Sequence, residues 1–189
     1  MMVTSSTVVL GIGIPSADPI FLSVVGAHVL LGLGCVVSGF VAMLATKGRG
    51  YHSTFGTMYY WFMNGVFLTM TTLAVMRWSE DYVLFVLGAM AFALVTLGRF
   101  SRSYRLSLRV HATSMASSYI VLLTAFYVDN GKNLPLWRDL PAASFWLIPA
   151  AVGVPILLWV LARHPLLRSR ADGLFRDQVL CEGSDREHD

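Results

Sequence analysis

Charged side chains are scarce in this chain of 189 residues. Asp, Glu, Lys and Arg together make up 13% of it, whereas hydrophobic residues make up 56%. A soluble domain carries about 25% charged residues and keeps its apolar residues on one stripe of each helix. Here the apolar residues form continuous blocks instead. The composition therefore excludes an ordinary soluble domain and predicts an integral membrane protein.

Cysteine and the motifs of soluble enzymes are also lacking. Cys35 lies in the first apolar block and Cys181 in the polar tail, so we expect no disulfide between them. There is no CxxC, Walker loop, GxSxG or HExxH. No basic region opens the chain, so we expect a short outer segment at residues 1–18 rather than a signal peptide. Despite the net charge of +3, no motif supports nucleic-acid binding. We find no convincing internal repeat.

Five apolar blocks predict five transmembrane helices, because a span needs about 20 mostly apolar residues. The third and fourth blocks are short, so we expect their helices to extend into the flanking polar residues. The predicted fold is an all-α bundle with a four-helix core at 19–128, a peripheral fifth span at 142–163 that is kinked by its prolines, and a polar cytoplasmic tail at 164–189. The blocks are Pro19–Ala45, Ser53–Met76, Tyr82–Leu97, Ala112–Val128 and Ala142–Ala162.

Basic residues alternate between the loops and predict the orientation. Lys and Arg favour cytoplasmic loops. The loops after blocks one and three and the tail hold Lys47, Arg49, Arg99, Arg102, Arg105, Arg109, Arg163, Arg168, Arg170 and Arg176, whereas the opposite side holds only Arg77, Lys132 and Arg138. We therefore expect the N-terminus outside and the C-terminus in the cytoplasm. The basic side should contact anionic lipid headgroups.

Two histidines occupy matching positions at the start of blocks two and four. His52 follows Arg49, and His111 follows Arg109. Helical spacing puts Gly56 and Tyr59 on the face of His52, and Met115 and Ser118 on the face of His111. If both blocks cross the membrane in the same direction, the two imidazoles lie at one depth. A histidine at a membrane boundary can also lie simply in the headgroup layer, and the matching contexts favour a paired site.

Neutral imidazole binds haem iron, zinc and copper. A structural zinc site needs four ligands, and no Cys or carboxylate lies at this depth, whereas six-coordinate haem needs two axial ligands. We therefore predict that His52 and His111 bind a b-type haem, that Arg49 and Arg109 hold its propionates, and that Tyr59 and Met115 line the cavity between the imidazoles. A role in redox chemistry with a quinone follows from this prediction.

Polar residues inside the blocks indicate other uses of the membrane region. His28 shares a helix face with Gly32, Cys35 and Gly39, which is typical of a packing seam between helices. Together with Asn64 and the hydroxyls of block four, His28 could instead serve a small-molecule carrier or a proton pathway. The glycine stripe could also dock a membrane protein partner or a second copy of the chain, as in a non-catalytic subunit or an assembly factor.

These motifs resemble a family of bacterial multi-pass membrane proteins catalogued as domain of unknown function 2306. That family looks like a four-helix membrane unit with a histidine in its first span and characteristic histidine motifs entering the second and fourth. The chain departs from the pattern at Ser53, Ala112 and Ser114. The resemblance covers about 26–128 and implies the membrane topology and a bacterial cytoplasmic membrane, but no activity. The matching positions are His28, Arg49, His52, Gly56, Tyr59, His111, Met115, Ser118 and Tyr119.

Overall fold

Five long helices dominate the computed structural model, which describes residues 7–9, 12–14, 19–46, 50–103, 108–135 and 139–163. Helices α3 and α4 continue into the polar residues that flank their apolar blocks, as the sequence predicted. A 3-10 turn at Gly131–Asn133 follows α4. The predicted all-helical architecture of the membrane region is therefore confirmed. The helices are α1 Pro19–Leu44, α2 Tyr51–Met76, α3 Trp78–Ser103, α4 Leu108–Asn130 and α5 Ala142–Arg163.

Two short strands precede the helices and were not predicted. Strands β1 (Thr7–Val9) and β2 (Ile12–Ile14) pair in the antiparallel direction, with Val9 opposite Ile12. Their β-branched residues suit a strand, and Val9 and Ile12 are separated by only two positions, which is a hairpin spacing. The pair is small and adds no layer to the bundle.

Three helices are long and apolar enough to cross a membrane. They cover Pro19–Leu44 in α1, Trp78–Ser101 in α3 and Ala142–Ala162 in α5. Their outward faces carry large apolar side chains, such as Leu30 in α1 and Leu147 in α5, which are 71% and 65% exposed. Exposed apolar surface of this extent suits lipid rather than water. Helices α2 and α4 carry more polar residues. Their mean hydropathy lies below that of the three candidate spans, although each is a single helix of similar length.

The core lies where α1, α2, α3 and α4 meet. Consecutive helices pack side by side, α1 on α2, α2 on α3 and α3 on α4. The buried side chains at the centre are medium-sized and apolar, apart from one tyrosine. Thr96 Oγ1 is the single buried side-chain polar atom without a hydrogen-bond partner among the described residues. The central cluster consists of Cys35, Tyr59, Met63, Val66, Ala91 and Val95.

Helix α5 packs against α4 through two glycine contacts. A Cβ on Gly153 would lie 2.5 Å from the Ile120 side chain, and one on Gly131 would lie 2.6 Å from the Phe145 ring. The absence of a side chain at these glycines allows the close approach. Pro149 and Pro155 both lie within α5, which runs as one helix from Ala142 to Arg163. The kink that the prolines predict stays a prediction.

The bounds of α1 and α3 are related by a constant shift along the sequence. Both ends of α3 lie 59 positions after the ends of α1 (19 to 78 and 44 to 103), and both helices have 26 residues. Tyr59 and Ser118, which are also 59 positions apart, hydrogen-bond to each other. The shift does not relate the bounds of α2 (Tyr51–Met76) to those of α4 (Leu108–Asn130), so an internal repeat is not established. The same shift relates Gly39 to Gly98 and His52 to His111.

The structure separates the two glycines of the predicted packing stripe. A Cβ on Gly39 would lie 2.7 Å from the Tyr119 ring and 3.1 Å from the Tyr59 ring, whereas one on Gly32 would have no neighbour within 4 Å. The packing seam that the sequence predicts along this face therefore includes Gly39 but not Gly32. Docking of a partner along the stripe stays a prediction.

We expect Gly39→Ala to lower the free energy of unfolding by about 1–3 kcal/mol, because neither tyrosine can step aside without losing a hydrogen bond. Gly32→Ala, with the same change of side chain in open space, is the matched control and should leave the stability unchanged or slightly raised. Thermal unfolding in detergent measures both. Equal melting temperatures for the two variants would contradict this account of the α1 seam.

Candidate functional site

His52 and His111 make the same kind of hydrogen bond at the same end of the bundle. His52 Nδ1 lies 2.8 Å from the carbonyl oxygen of Ala42, near the end of α1. His111 Nδ1 lies 2.7 Å from the carbonyl oxygen of Gly98, near the end of α3. We call this the histidine end, where α1 and α3 finish and α2 and α4 begin. Each imidazole thus ties the start of one helix to the end of the preceding one.

These contacts determine which ring nitrogen carries the proton. A carbonyl oxygen only accepts hydrogen bonds, so Nδ1 must be the donor in both histidines. In a neutral imidazole, Nε2 then keeps its lone pair. Metal-binding histidines commonly donate their other ring N–H to a backbone carbonyl in this way, which orients the ring and fixes the tautomer. Both side chains are half-buried.

A hydrogen bond between Tyr59 and Ser118 links the helices that carry the two histidines. Seven residues after each histidine, Tyr59 and Ser118 meet with their hydroxyl oxygens 3.0 Å apart. Ser118 donates its proton to the carbonyl of Met115, so Tyr59 is the donor in the pair. Seven residues of α-helix rise by about 10 Å. Tyr59 and Ser118 each lie about that distance along the helix from their histidine, and an equal depth of the two imidazoles stays a prediction.

Tyr59 and Met115, the expected cavity-lining residues, both have packing roles. Tyr59 is 2% exposed and belongs to the central cluster. Met115 packs against Gly98, where a Cβ would lie 2.8 Å from its sulfur atom. Met115 therefore packs on the same residue whose carbonyl holds His111. Both residues support the two histidines from the core side.

The structure describes only some of the arginines that were predicted to accompany the histidines. Arg109 lies in the first turn of α4 and is exposed. Arg49 lies outside the described residues, as does the polar tail at 164–189, and nothing is described of the side chain of Arg102. Arg99, a cation at the same end of the bundle, makes two contacts with α2. Its Nη1 donates to Thr57 Oγ1 at 3.1 Å, and its guanidinium carbon lies 5.7 Å from the centre of the Tyr60 ring.

His28 lies on α1 in its first half and has its own partner. Its Nδ1 is 2.9 Å from Thr69 Oγ1 on α2. The single hydroxyl proton of Thr69 goes to the carbonyls of Gly65 and Val66 in its own helix, so His28 Nδ1 is the donor. The sequence analysis described His28 as a member of a packing seam, and this bond between α1 and α2 agrees with that description. The sequence did not indicate Thr69 as the partner, because the two residues are 41 positions apart.

The remaining polar groups of the helices are largely satisfied by their own backbone. Asn64 donates to the carbonyl of Tyr60, and Thr124 donates to that of Ile120, each four residues earlier. Such bonds make a polar residue inexpensive in an apolar setting. Asn64 and the α4 hydroxyls therefore form no connected track with His28 among the contacts of the described residues. A carrier or proton pathway gains no specific support from these residues.

The described residues contain no group of three or more His, Cys, Asp or Glu side chains that could hold a metal ion. The sequence missed the carbonyls of Ala42 and Gly98 as partners of the histidines, because every residue has a carbonyl and only the tertiary structure selects one.

Comparison with known proteins adds no assignment. No protein-family model, no curated protein and no solved structure matches the chain. The resemblance to the family with domain of unknown function 2306 stays a prediction. The histidine end is thus defined by its geometry alone.

Proposed function

We propose that the chain is a five-span membrane protein in which His52 and His111 would hold a b-type haem at the histidine end, and that it would exchange electrons with a quinone. The observation that carries this proposal is the matched pair of Nδ1 hydrogen bonds to Ala42 and Gly98. Bonds of this kind orient the ring and fix the tautomer of metal-binding histidines, and the two residues lie in the first turns of α2 and α4.

The packing of α2 and α4 supports five crossings rather than three. Helix α2 joins α1 to α3 and packs along both. Its 26 residues extend about 39 Å, more than the roughly 30 Å of the hydrocarbon core. If α1 and α3 cross the membrane, a helix lying alongside them crosses too. The same reasoning applies to α4, which packs on α3 and α5. Buried polar side chains, such as Ser114 and Ser118 in α4, then face neighbouring helices rather than lipid.

The charge distribution sets the proposed orientation. The histidine end carries Arg99 and Arg109, whereas at the opposite end Arg77 is paired with Glu80 and accompanied by Asp81 and Asp129. Because basic loops stay on the cytoplasmic side, the histidine end faces the cytoplasm and the N-terminus lies outside. In a bacterium this is the cytoplasmic membrane.

Cysteine labelling in intact cells tests the orientation. With Cys35 and Cys181 replaced by serine, a cysteine at Asn133 should react with a membrane-impermeant maleimide, and one at Ser103 should react only after lysis. A cysteine placed at Gly50 is a second cytoplasmic position. Labelling of Ser103 in intact cells as readily as Asn133 would overturn the orientation.

The donor set at the histidine end fits a haem. When bound, haem b supplies one-electron transfer. The chain's own residues hold the imidazole rings in one orientation through the backbone of α1 and α3. Arg109, and Arg49 outside the described residues, are the cations proposed for the propionates. Tyr59 and Ser118 link α2 to α4 about 10 Å from the histidines and would keep the two ligand-bearing helices level.

Optical spectroscopy of the purified protein tests the haem. Protein from haem-replete cells should show a Soret band, which His52→Ala and His111→Ala should each abolish because six-coordinate haem needs both axial ligands. His28→Ala is the matched control, since His28 is a similarly half-buried histidine bonded elsewhere, and it should leave the band intact. A colourless wild-type protein would contradict the haem proposal. A non-catalytic membrane subunit that docks a partner would then be the better explanation.

A further inference from the structure

Arg99 differs from the other well-defined membrane-boundary arginine in what surrounds it. Arg77, at the opposite end, forms an ion pair with Glu80 and lies over the Phe21 ring. Arg99 contacts a hydroxyl and an aromatic ring instead, and within the part of the chain that the structure describes no carboxylate pairs with it. It lies inside the apolar segment Trp78–Ser101, where an uncompensated charge is costly.

The geometry holds the Arg99 guanidinium in a defined place on the seam between α2 and α3. One N–H donates to Thr57 Oγ1 at 3.1 Å, and the Tyr60 ring lies 5.7 Å from the guanidinium carbon. A cation over a tyrosine face is stabilised by the ring. A guanidinium has five N–H donors, and among the described residues Thr57 is the one hydrogen-bond acceptor found for them. The side chain is exposed, so the remaining donors face outward.

The depth of Arg99 in the membrane indicates which anion it binds. It lies four residues before the end of α3, or about 6 Å of helix, so it is within the span yet near the membrane surface. At this level the abundant anion with several acceptor oxygens is the phosphate of a phospholipid. Guanidinium groups bind phosphate through two parallel hydrogen bonds. The surrounding seam is apolar, which suits the acyl chains beneath that phosphate.

We propose that Arg99, Thr57 and Tyr60 form a binding site for one anionic phospholipid, with the lipid phosphate on the Arg99 guanidinium and its chains along the α2–α3 seam. The site rests on the membrane-spanning part of the proposed function and is independent of the haem. It also adjoins the histidine end, because Gly98, which precedes Arg99, provides the carbonyl that holds His111.

Native mass spectrometry of the full chain tests this site, with phosphatidylglycerol titrated into delipidated protein in detergent. The wild type should retain one phosphatidylglycerol in preference to phosphatidylcholine. Arg99→Gln should weaken that binding about tenfold, as expected for losing a charge-assisted hydrogen-bond pair. Arg109→Gln removes the same charge at the same end and is the matched control, with a change below about twofold.

Tyr60→Leu is a second variant for the case in which Arg99→Gln fails to fold. It should weaken binding about threefold through loss of the ring beneath the guanidinium, whereas Leu68→Ala, further along α2 and 68% exposed, should not. Equal losses of phosphatidylglycerol binding for Arg99→Gln and Arg109→Gln would show that diffuse positive charge attracts the lipid. That result would overturn the proposed site. Displacement of phosphatidylglycerol by millimolar inorganic phosphate would show a soluble-anion site and overturn the lipid assignment. Cysteine labelling tests the topology separately, and neither result depends on the Soret band.

Discussion

The hydrogen bond between Tyr59 and Ser118 is the contact on which the rest of the bundle depends. In an apolar environment a buried hydroxyl without a partner is costly, so the 3.0 Å pair joins α2 to α4. The Tyr59 ring also packs against Gly39 and so determines how closely α1 approaches α2. Once these helices are joined, each histidine reaches a carbonyl of the helix before it. The architecture of the histidine end thus follows from one polar contact in the core.

Hydrogen bonds between side chains and backbone connect the helices elsewhere as well. Tyr119 donates to the carbonyl of Val36 at 3.2 Å, and His52 and His111 donate to carbonyls in α1 and α3. Helices in lipid cannot rely on the hydrophobic effect to hold them together, so packing and hydrogen bonds have to do so. A histidine used in this way connects two helices and, in the proposed haem site, is an oriented nitrogen ligand. The haem proposal and a purely structural role therefore predict the same Nδ1 contact and differ in what occupies Nε2.

A shift of 59 positions relates the bounds of α1 to those of α3, and the same shift relates several pairs of identical residues. His52 with His111 and Gly39 with Gly98 follow this relation. The correspondence is incomplete, because His52 reaches Ala42 whereas His111 reaches a carbonyl one turn further from the end of its helix. Arg99 has no basic counterpart, since Phe40 occupies the equivalent place in α1, and the proposed lipid site between α2 and α3 therefore occurs once.

The sequence alone determined that the chain is helical and apolar enough for a membrane, because block length and composition are local properties. It also predicted that α3 and α4 extend beyond their apolar blocks, and it singled out His28, His52 and His111. Only the tertiary structure decided that Gly39 is closed by two tyrosines while Gly32 is open, that Thr69 is the partner of His28, and that Arg99 lies over Tyr60. Those contacts join residues far apart along the chain, and backbone carbonyls look alike at every position. Helix height and rotation within the bundle select among them, and neither quantity is encoded in a single helix.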